Sequence, residues 1–285
     1  MARRHRITIP LEPCHFSPTQ FQAASVLRFG MMGLAATIRQ QVIAWPVLKK
    51  EHHRTVVISS VKIDYLQPFG FFSASEISLD SGLIARRSGK FLALDCRVHT
   101  PESDVVRLAM LTRPVRLSGS DVFDAAPADL DEPWLGRFAP DERDDSPMVR
   151  TLPARIEEIT SQGTLVGDGK SSFFVSRTDC EFADQWQNVR LPDWFAAGRE
   201  QLILRQPDQI LTTGLREPMT CFMAEFRRPM YFGDEGALRT RVYQHGKALA
   251  FVHELFVKRP SISEADSPMC ATGIEEFSIG NEERA

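Results

Sequence analysis

Between Ser176 and Phe195 the chain reads SRTDCEFADQWQNVRLPDWF. Asp179 and Glu181 stand two residues apart, Asp184 follows, and Gln185, Gln187 and Asn188 supply amides. A carboxylate ahead of a helix can act as a general base or as a nucleophile, and backbone N–H groups at the helix start stabilise a developing negative charge. Gln185 and Asn188 can donate hydrogen bonds to a substrate oxygen or a positioned water without titrating. The set suits attack on a carbonyl by a carboxylate of this loop, Asp179 or Glu181. The same residue types also cap helices or occupy a helix's first turn, so spacing alone leaves both readings open.

Other reactive side chains form no comparable pattern. Cys180 and Cys221 have no His nearby in sequence, and a lone cysteine in an apolar stretch is usually buried. His52-His53-Arg54 falls in a polar loop without metal-ligand spacing. The five cysteines are odd in number and show no CxxC pair. That fits neither a disulfide framework nor a zinc site, and it reads as a reducing, cytoplasmic setting with no metal. A net charge of −3 gives no electrostatic reason to expect nucleic acid. The basic start MARRHRITIP is not followed by an apolar signal core, and no apolar run reaches the roughly 18 residues of a membrane span.

The 285 residues suffice for two ordinary domains, and the chain reads as an internal duplication. Laid without a gap over Val175 to Phe195, Ile9 to Phe29 brings Cys14-His15-Phe16 onto Cys180-Glu181-Phe182. VKIDYLQP, ending at Pro68, then matches FMAEFRRP, ending at Pro229, and Gly89-Lys90 matches Gly246-Lys247. Each copy predicts a short strand (Arg6 to Pro10; Ser172 to Arg177), a helix, and long β-rich runs, with RSGK and QHGK as hairpin turns. Asp184 offers helix-start chemistry in the second copy. This is an α+β pattern. The expected division is residues 1–118, an acidic, Pro-rich linker over 119–149 on which Trp134, Leu135 and Phe138 pack down in part, a second domain over 150–259, and a flexible polar tail over 260–285.

The order of a helix followed by long antiparallel strands, with Pro after KIDYLQ and AEFRR, resembles the hotdog fold. Two copies in one chain resemble the tandem hotdog architecture of acyl-carrier-protein thioesterases, each half a long helix wrapped by an antiparallel sheet. The second copy is similar to the D-x-D-x-x-G loop of single-hotdog acyl-CoA thioesterases, with Glu181 for the second Asp and Asp184 for the Gly. Against the D-x-D-x-N-x-H-x-N-N loop of the tandem enzymes, Ala183 replaces the Asn, Gln185 the His, and Gln187-Asn188 the Asn pair. In the strand that reads L-E-Y-R-R-E-C in that family, Glu225, Arg227 and Arg228 are kept while Pro229 and Met230 depart.

The resemblance implies hydrolysis of an acyl-carrier-protein or acyl-CoA thioester in fatty-acid or polyketide-type metabolism, with Glu181, Asp179 and Gln185 catalytic. Asn188, Tyr65, His15, Arg227 and Arg228 would bind substrate. It implies no separate cofactor, since the substrate carries phosphopantetheine or CoA, and either a monomeric pseudo-dimer or a homodimer. A non-hydrolytic carrier-binding subunit, or an acyltransferase, decarboxylase or dehydratase on the same scaffold, is the alternative. His15 falls opposite Glu181 in the overlay but lacks the HxxxG pattern of hotdog dehydratases, so a structural role is expected for it.

Overall fold

The computed structural model describes residues 3–117, 125–181, 184–258 and 267–279. The chain divides into two compact units, unit 1 formed by Met1–His15 and Ser25–Val149 and unit 2 by Phe16–Ala24 and Arg150–Ala285.

In unit 1, strand β1 (Arg4–Pro10) precedes helices α1 (Ala23–Gln41) and α2 (Trp45–His52), then β2 (Arg54–Tyr65), β3 (Glu76–Arg86), β4 (Phe91–His99) and β5 (Asp104–Leu117). These five strands form an antiparallel sheet in the order β1-β3-β4-β5-β2. Inward and outward residues alternate along β2 and β3, as the two-residue period of a strand requires. Helix α1 lies close on the sheet because Gly30 has no Cβ. One placed there would stand 2.1 Å from Leu108 Cδ2.

Unit 2 opens with α4 (Thr151–Gln162) and β8 (Thr164–Phe174), followed by α5 (Leu191–Arg205), α6 (Thr213–Arg216), β9 (Met219–Phe226), β10 (Glu235–His245), β11 (Ala248–Lys258) and β12 (Met269–Ser278). The sheet order is β8-β10-β11-β12-β9, the same as in unit 1 once β8 to β12 stand for β1 to β5. The two predicted hairpin turns are present, each with glycine at positive φ, Gly89 at 86° and Gly246 at 60°.

Two expected segments are different in kind. The linker over 119–149 is in its described part a packed piece of unit 1. It forms β6 (Ala125–Pro127) on β5, α3 (Glu132–Leu135) and β7 (Arg143–Asp144) on β3. Trp134 and Phe138 are buried, and the buried Glu142 is gripped by Arg3 through Nε (2.8 Å) and Nη2 (2.6 Å). That side-chain hydrogen bonding outweighs burial and holds the Glu142 carboxyl down to about 2. Residues 119–124 of that segment lie outside the described residues.

The tail over 260–285 is likewise not a free polar end where it is described, since β12 runs between β11 and β9 with Cys270 to Phe277 buried. Residues 260–266 and 280–285 lie outside the described residues. Glu275 and Glu276 give β12 its polar look, but neighbouring residues of a strand face opposite sides, and each glutamate meets an arginine. Glu275 faces Arg199 of α5, and Glu276 takes a two-point contact from Arg155 of α4 at 2.9 and 2.6 Å. The sheet of unit 2 is thus covered by α5 on one face and on the other by α4, whose Leu152 and Ile159 pack on Met223, Val252 and Ile274. The second-copy strand expected over Ser172 to Arg177 is the longer β8, ending at Phe174.

Candidate functional site

Most of the predicted residues lie in one loop of unit 2, between β8 and α5. Ser176 donates to Asp179 Oδ2 from its backbone N–H (3.0 Å) and its hydroxyl (2.5 Å), and Arg190 Nε donates to Oδ1 (3.0 Å). The Asp179 carbonyl accepts from the Gln187 N–H at 2.8 Å. Burial works to raise the Asp179 carboxyl, but the Ser176 donors and the Arg190 guanidinium together outweigh it and hold it below the usual carboxylate range. Both carboxylate oxygens are engaged in closing the loop. Asp179→Ala is therefore expected to cost about 1–3 kcal/mol of stability, read as a lower urea midpoint, because it strands the Ser176 and Arg190 donors.

Beyond this anchor the chain makes a tight reversal. Cys180 bridges Trp186, Glu181 N–H donates to Gln185 O (2.8 Å), and Asp184 N–H donates to Glu181 O (3.1 Å). Asp184 occupies the left-handed region at φ 54°, which Asp tolerates better than most residues. Its carboxylate pairs with Arg177, whose guanidinium lies 4.1 Å over the Phe232 ring. The segment after β9 clamps the reversal, Trp186 N–H donating to Met230 O (3.0 Å) and Phe232 N–H to Asp184 O (2.8 Å). Buried Trp186 stacks on Trp194 of α5 at 4.8 Å. Glu181 and Gln185 are consequently held side by side, Glu181 exposed and Gln185 half-buried.

The helix starts later than expected. Gln185 sits in a bridge to Tyr231, Asn188 opens a 3-10 turn over Asn188–Arg190, and α5 begins at Leu191, so neither amide is on its first turn and Asp184 does not cap it. Pro192 is the physical reason, because proline is tolerated only in a helix's first turn. Gln187 is spent on the loop, its Nε2 donating to Cys180 O at 2.8 Å. Arg227 and Arg228 are exposed, and their N–H groups both reach Cys270 O, at 2.8 and 3.2 Å, where the chain turns toward Met230. Glu225, at the end of β9, is held by Arg150 at 2.5 Å. Burial, aided by Asp184 and Asp179, pushes the Cys180 thiol up, which removes it as a nucleophile.

The first copy shows the same turn in a different register from the gapless overlay. Glu12 N–H donates to His15 Nδ1 (3.1 Å) as Ser176 N–H does to Asp179, and Ser17 N–H donates to Gln20 O (2.8 Å) as Glu181 N–H does to Gln185. Gln22 Nε2 reaches Phe16 O at 2.8 Å as Gln187 reaches Cys180. His15 is thus the counterpart of Asp179, and Ser17 that of Glu181. The offset is 179 − 15 = 164 at the turn and 191 − 23 = 168 at the helix starts, so the second loop is longer and no gapless overlay can align both. The His15 ring also packs edge-on against Phe29 at 5.0 Å. His15 and the half-buried Tyr65, at the end of β2, belong to unit 1, whereas Glu181, Gln185, Asn188, Arg227 and Arg228 belong to unit 2.

In unit 1, Glu12, Cys14 and His15 bring one ligand atom each within 4.8 Å of one another, Glu12 and Cys14 exposed and His15 half-buried. A second polar cluster, absent from the sequence reading, is buried in unit 2. His253 of β11 contacts Thr240 Oγ1 of β10 through Nδ1 (3.0 Å) and Glu275 Oε2 of β12 through Nε2 (3.1 Å), while Arg199 Nη1 lies 2.5 Å from Glu275 Oε1. The carboxylate can only accept, so Nε2 carries the proton and Nδ1 accepts from Thr240. The imidazole stacks on Phe195 of α5 at 4.4 Å and is wholly buried.

No family model matches this chain, and no curated protein matches it in sequence. Solved structures do match in fold. A provisionally assigned oleoyl thioesterase of Lactobacillus plantarum superposes with TM-score 0.74 at 8% identity, over 98% of this chain and 98% of that one. An acyl-ACP thioesterase of Bacteroides thetaiotaomicron follows at TM-score 0.67 and 13% identity, covering 96% and 98%. The 12:0-ACP thioesterase of Umbellularia californica gives 0.63 and 9%, covering 95% and 96%. The chain has their double hotdog fold. Among the described residues no helix is long and apolar enough to cross a membrane.

Proposed function

We propose that this chain hydrolyses an acyl thioester presented on acyl carrier protein or CoA, in the cytoplasm, with Glu181 as the reacting carboxylate. The observation that carries the reading is that the backbones of exposed Glu181 and half-buried Gln185 are joined by a 2.8 Å hydrogen bond at a turn that Asp179 anchors. Glu181 takes the proton of an attacking water, and Gln185 or Asn188 donates to the carbonyl oxygen as it becomes negative. Collapse of the tetrahedral intermediate breaks the C–S bond, the thiol leaving with the proton that Glu181 took. If Glu181 instead attacks the carbon, the thiolate leaves to solvent and takes a proton there, and water then cleaves the acyl–Glu181 anhydride. Asp179 holds the loop. Arg227 and Arg228, at the edge of the clamping segment, supply positive charge for a phosphate or an acidic carrier surface. The near-complete overlap with the fold of solved thioesterases supports the substrate class.

Incubation with a panel of acyl-CoA and acyl-carrier-protein substrates, followed by mass spectrometry of the products, tests the reading. The expected result is free acid, released on the order of 10²-fold more slowly by Glu181→Gln. Unchanged turnover in that variant removes Glu181 from the mechanism. Binding of substrates without any free acid would turn the assignment toward a carrier-binding subunit, for which the replacement of the family's His by Gln185 is the motivation.

A further inference from the structure

The motif His52-His53-Arg54 does not enter the proposed site, yet it lines a cavity. In unit 1, His52, His53, Arg54, Arg116, Leu117 and Asp131 border an open depression of about 430 Å³, a volume within the roughly 300–1,000 Å³ of small-molecule sites. Two arginines, two histidines and one acid make up its polar lining.

The lining places two guanidiniums close together with one carboxylate, that of Asp131, beside them. Arg54 and Arg116 are direct cross-strand partners on β2 and β5, and like charges placed opposite one another are destabilising. Arg54 is 9% exposed, so its guanidinium has lost most of its water. Its contact among the described residues is Nη2 to Asp131 Oδ1 at 2.7 Å, with that carboxylate 44% exposed and screened by solvent. Arg116 is exposed, and its guanidinium has no ion pair or side-chain hydrogen bond among the described residues.

The surroundings hold these groups in place. His53 is fixed in the left-handed region (φ 49°) at the end of α2, its N–H capping Leu48 O, and its carbonyl accepts from Leu117 N–H at 2.8 Å. The cap satisfies one carbonyl at the C-terminal end of α2, and the guanidiniums of Arg54 and Arg116 supply the positive charge that has to outweigh the rest of that helix end. His52 is braced edge-on by the buried Trp134 at 4.9 Å. An Arg pair with adjoining imidazole donors, preset around an open space, matches the several acceptor oxygens of a phosphate.

We infer that this cavity is a binding site for a phosphate ester, with Arg54 and Arg116 contacting the phosphate oxygens and His53 donating beside them. It rests on unit 1 residues alone and stands independently of what Glu181 does. The test is isothermal titration calorimetry of the full chain with inorganic phosphate, pyrophosphate and adenosine 3′,5′-bisphosphate, none of which carries a thioester. Arg116→Gln and His53→Asn are the variants. Arg116 is exposed, and Asn tolerates the left-handed backbone at position 53, so both preserve the fold.

The expected result is saturable binding of one equivalent that weakens with salt, and weakens about tenfold or more in Arg116→Gln. Tighter binding of the bisphosphate than of pyrophosphate would identify a nucleotide end such as that of CoA as the source. Equal binding would identify the phosphate group alone. Absence of saturable heat from all three at millimolar concentration overturns the inference, as does binding that neither substitution weakens.

Discussion

A chain ending at Lys258 is expected to lose the folded structure of unit 2. Strand β12 is an inner strand, hydrogen-bonded to β11 from Ala248↔Ser278 onward and to β9 from Ala271↔Phe226 onward. Deleting it uncovers the facing edges of both neighbours, rows of N–H and C=O groups open to non-native pairing. It also removes the buried side chains of Ile274 and Phe277, about 1.5–3 kcal/mol each, and takes from Arg199 and Arg155 their buried glutamates, leaving the exposed Glu200 and Glu158. Against a total stability of roughly 5–15 kcal/mol the sum is disabling. Far-UV circular dichroism and urea unfolding of the truncated chain provide the measurement. A cooperative transition with an unchanged midpoint would show that β12 contributes nothing, contrary to this topology.

That deletion also marks where the sequence could and could not be read. The hairpins at Gly89 and Gly246 and the alternating strands of unit 1 were legible because turn glycines and a two-residue period are local signals. β12 was not, because both of its faces are covered and its two glutamates are neutralised by arginines 76 and 121 positions away, 275 − 199 and 276 − 155. Sequence distance hides such pairing. The candidate loop was found from its carboxylates, yet the roles within it depend on hydrogen bonds. His15 and Asp179 perform the same capping task with different chemistry, and a residue-by-residue overlay cannot match an imidazole to a carboxylate. The later start of α5 goes with Pro192, a residue that only a helix's first turn accommodates, whereas Asp184 points to an earlier start. The basic cavity was invisible for a simpler reason, since Arg54 and Arg116 become neighbours only when β2 and β5 pair.

The buried Arg199–Glu275–His253–Thr240 chain carries the other large expected effect. Glu275 is 2% exposed, and Arg199 lies between it and the rings of Phe277 and Phe251, at 5.0 and 6.0 Å. Glu275→Ala leaves a nearly buried guanidinium with only the exposed Glu200, 3.8 Å away, as counter-charge, with an expected loss of about 3–5 kcal/mol. Replacing the pair together, as Arg199→Met with Glu275→Leu, should recover much of it, since no uncompensated charge remains.

The same cluster sets a pH dependence. Burial pushes the His253 imidazole down, outweighing Glu275, so it stays neutral in the fold while an unfolded imidazole takes a proton below about 6.5. Burial raises the Glu275 carboxyl, but Arg199 and His253 outweigh it and hold it below its ordinary value. In both cases the unfolded chain binds more protons than the folded one as the solution becomes acid, so stability falls with falling pH. The His253 limb begins below about 6.5 and the Glu275 limb below about 4.3, each with a slope of up to about 1.4 kcal/mol per pH unit. Urea midpoints between about pH 8 and about pH 3 should be level at first and then decline, and His253→Gln should abolish the upper limb while keeping the lower. A His253→Gln profile that still declines from about pH 6.5 would mean that another group sets the upper limb, and a native profile that stays level down to about pH 5 would mean that the buried imidazole takes up its proton without unfolding.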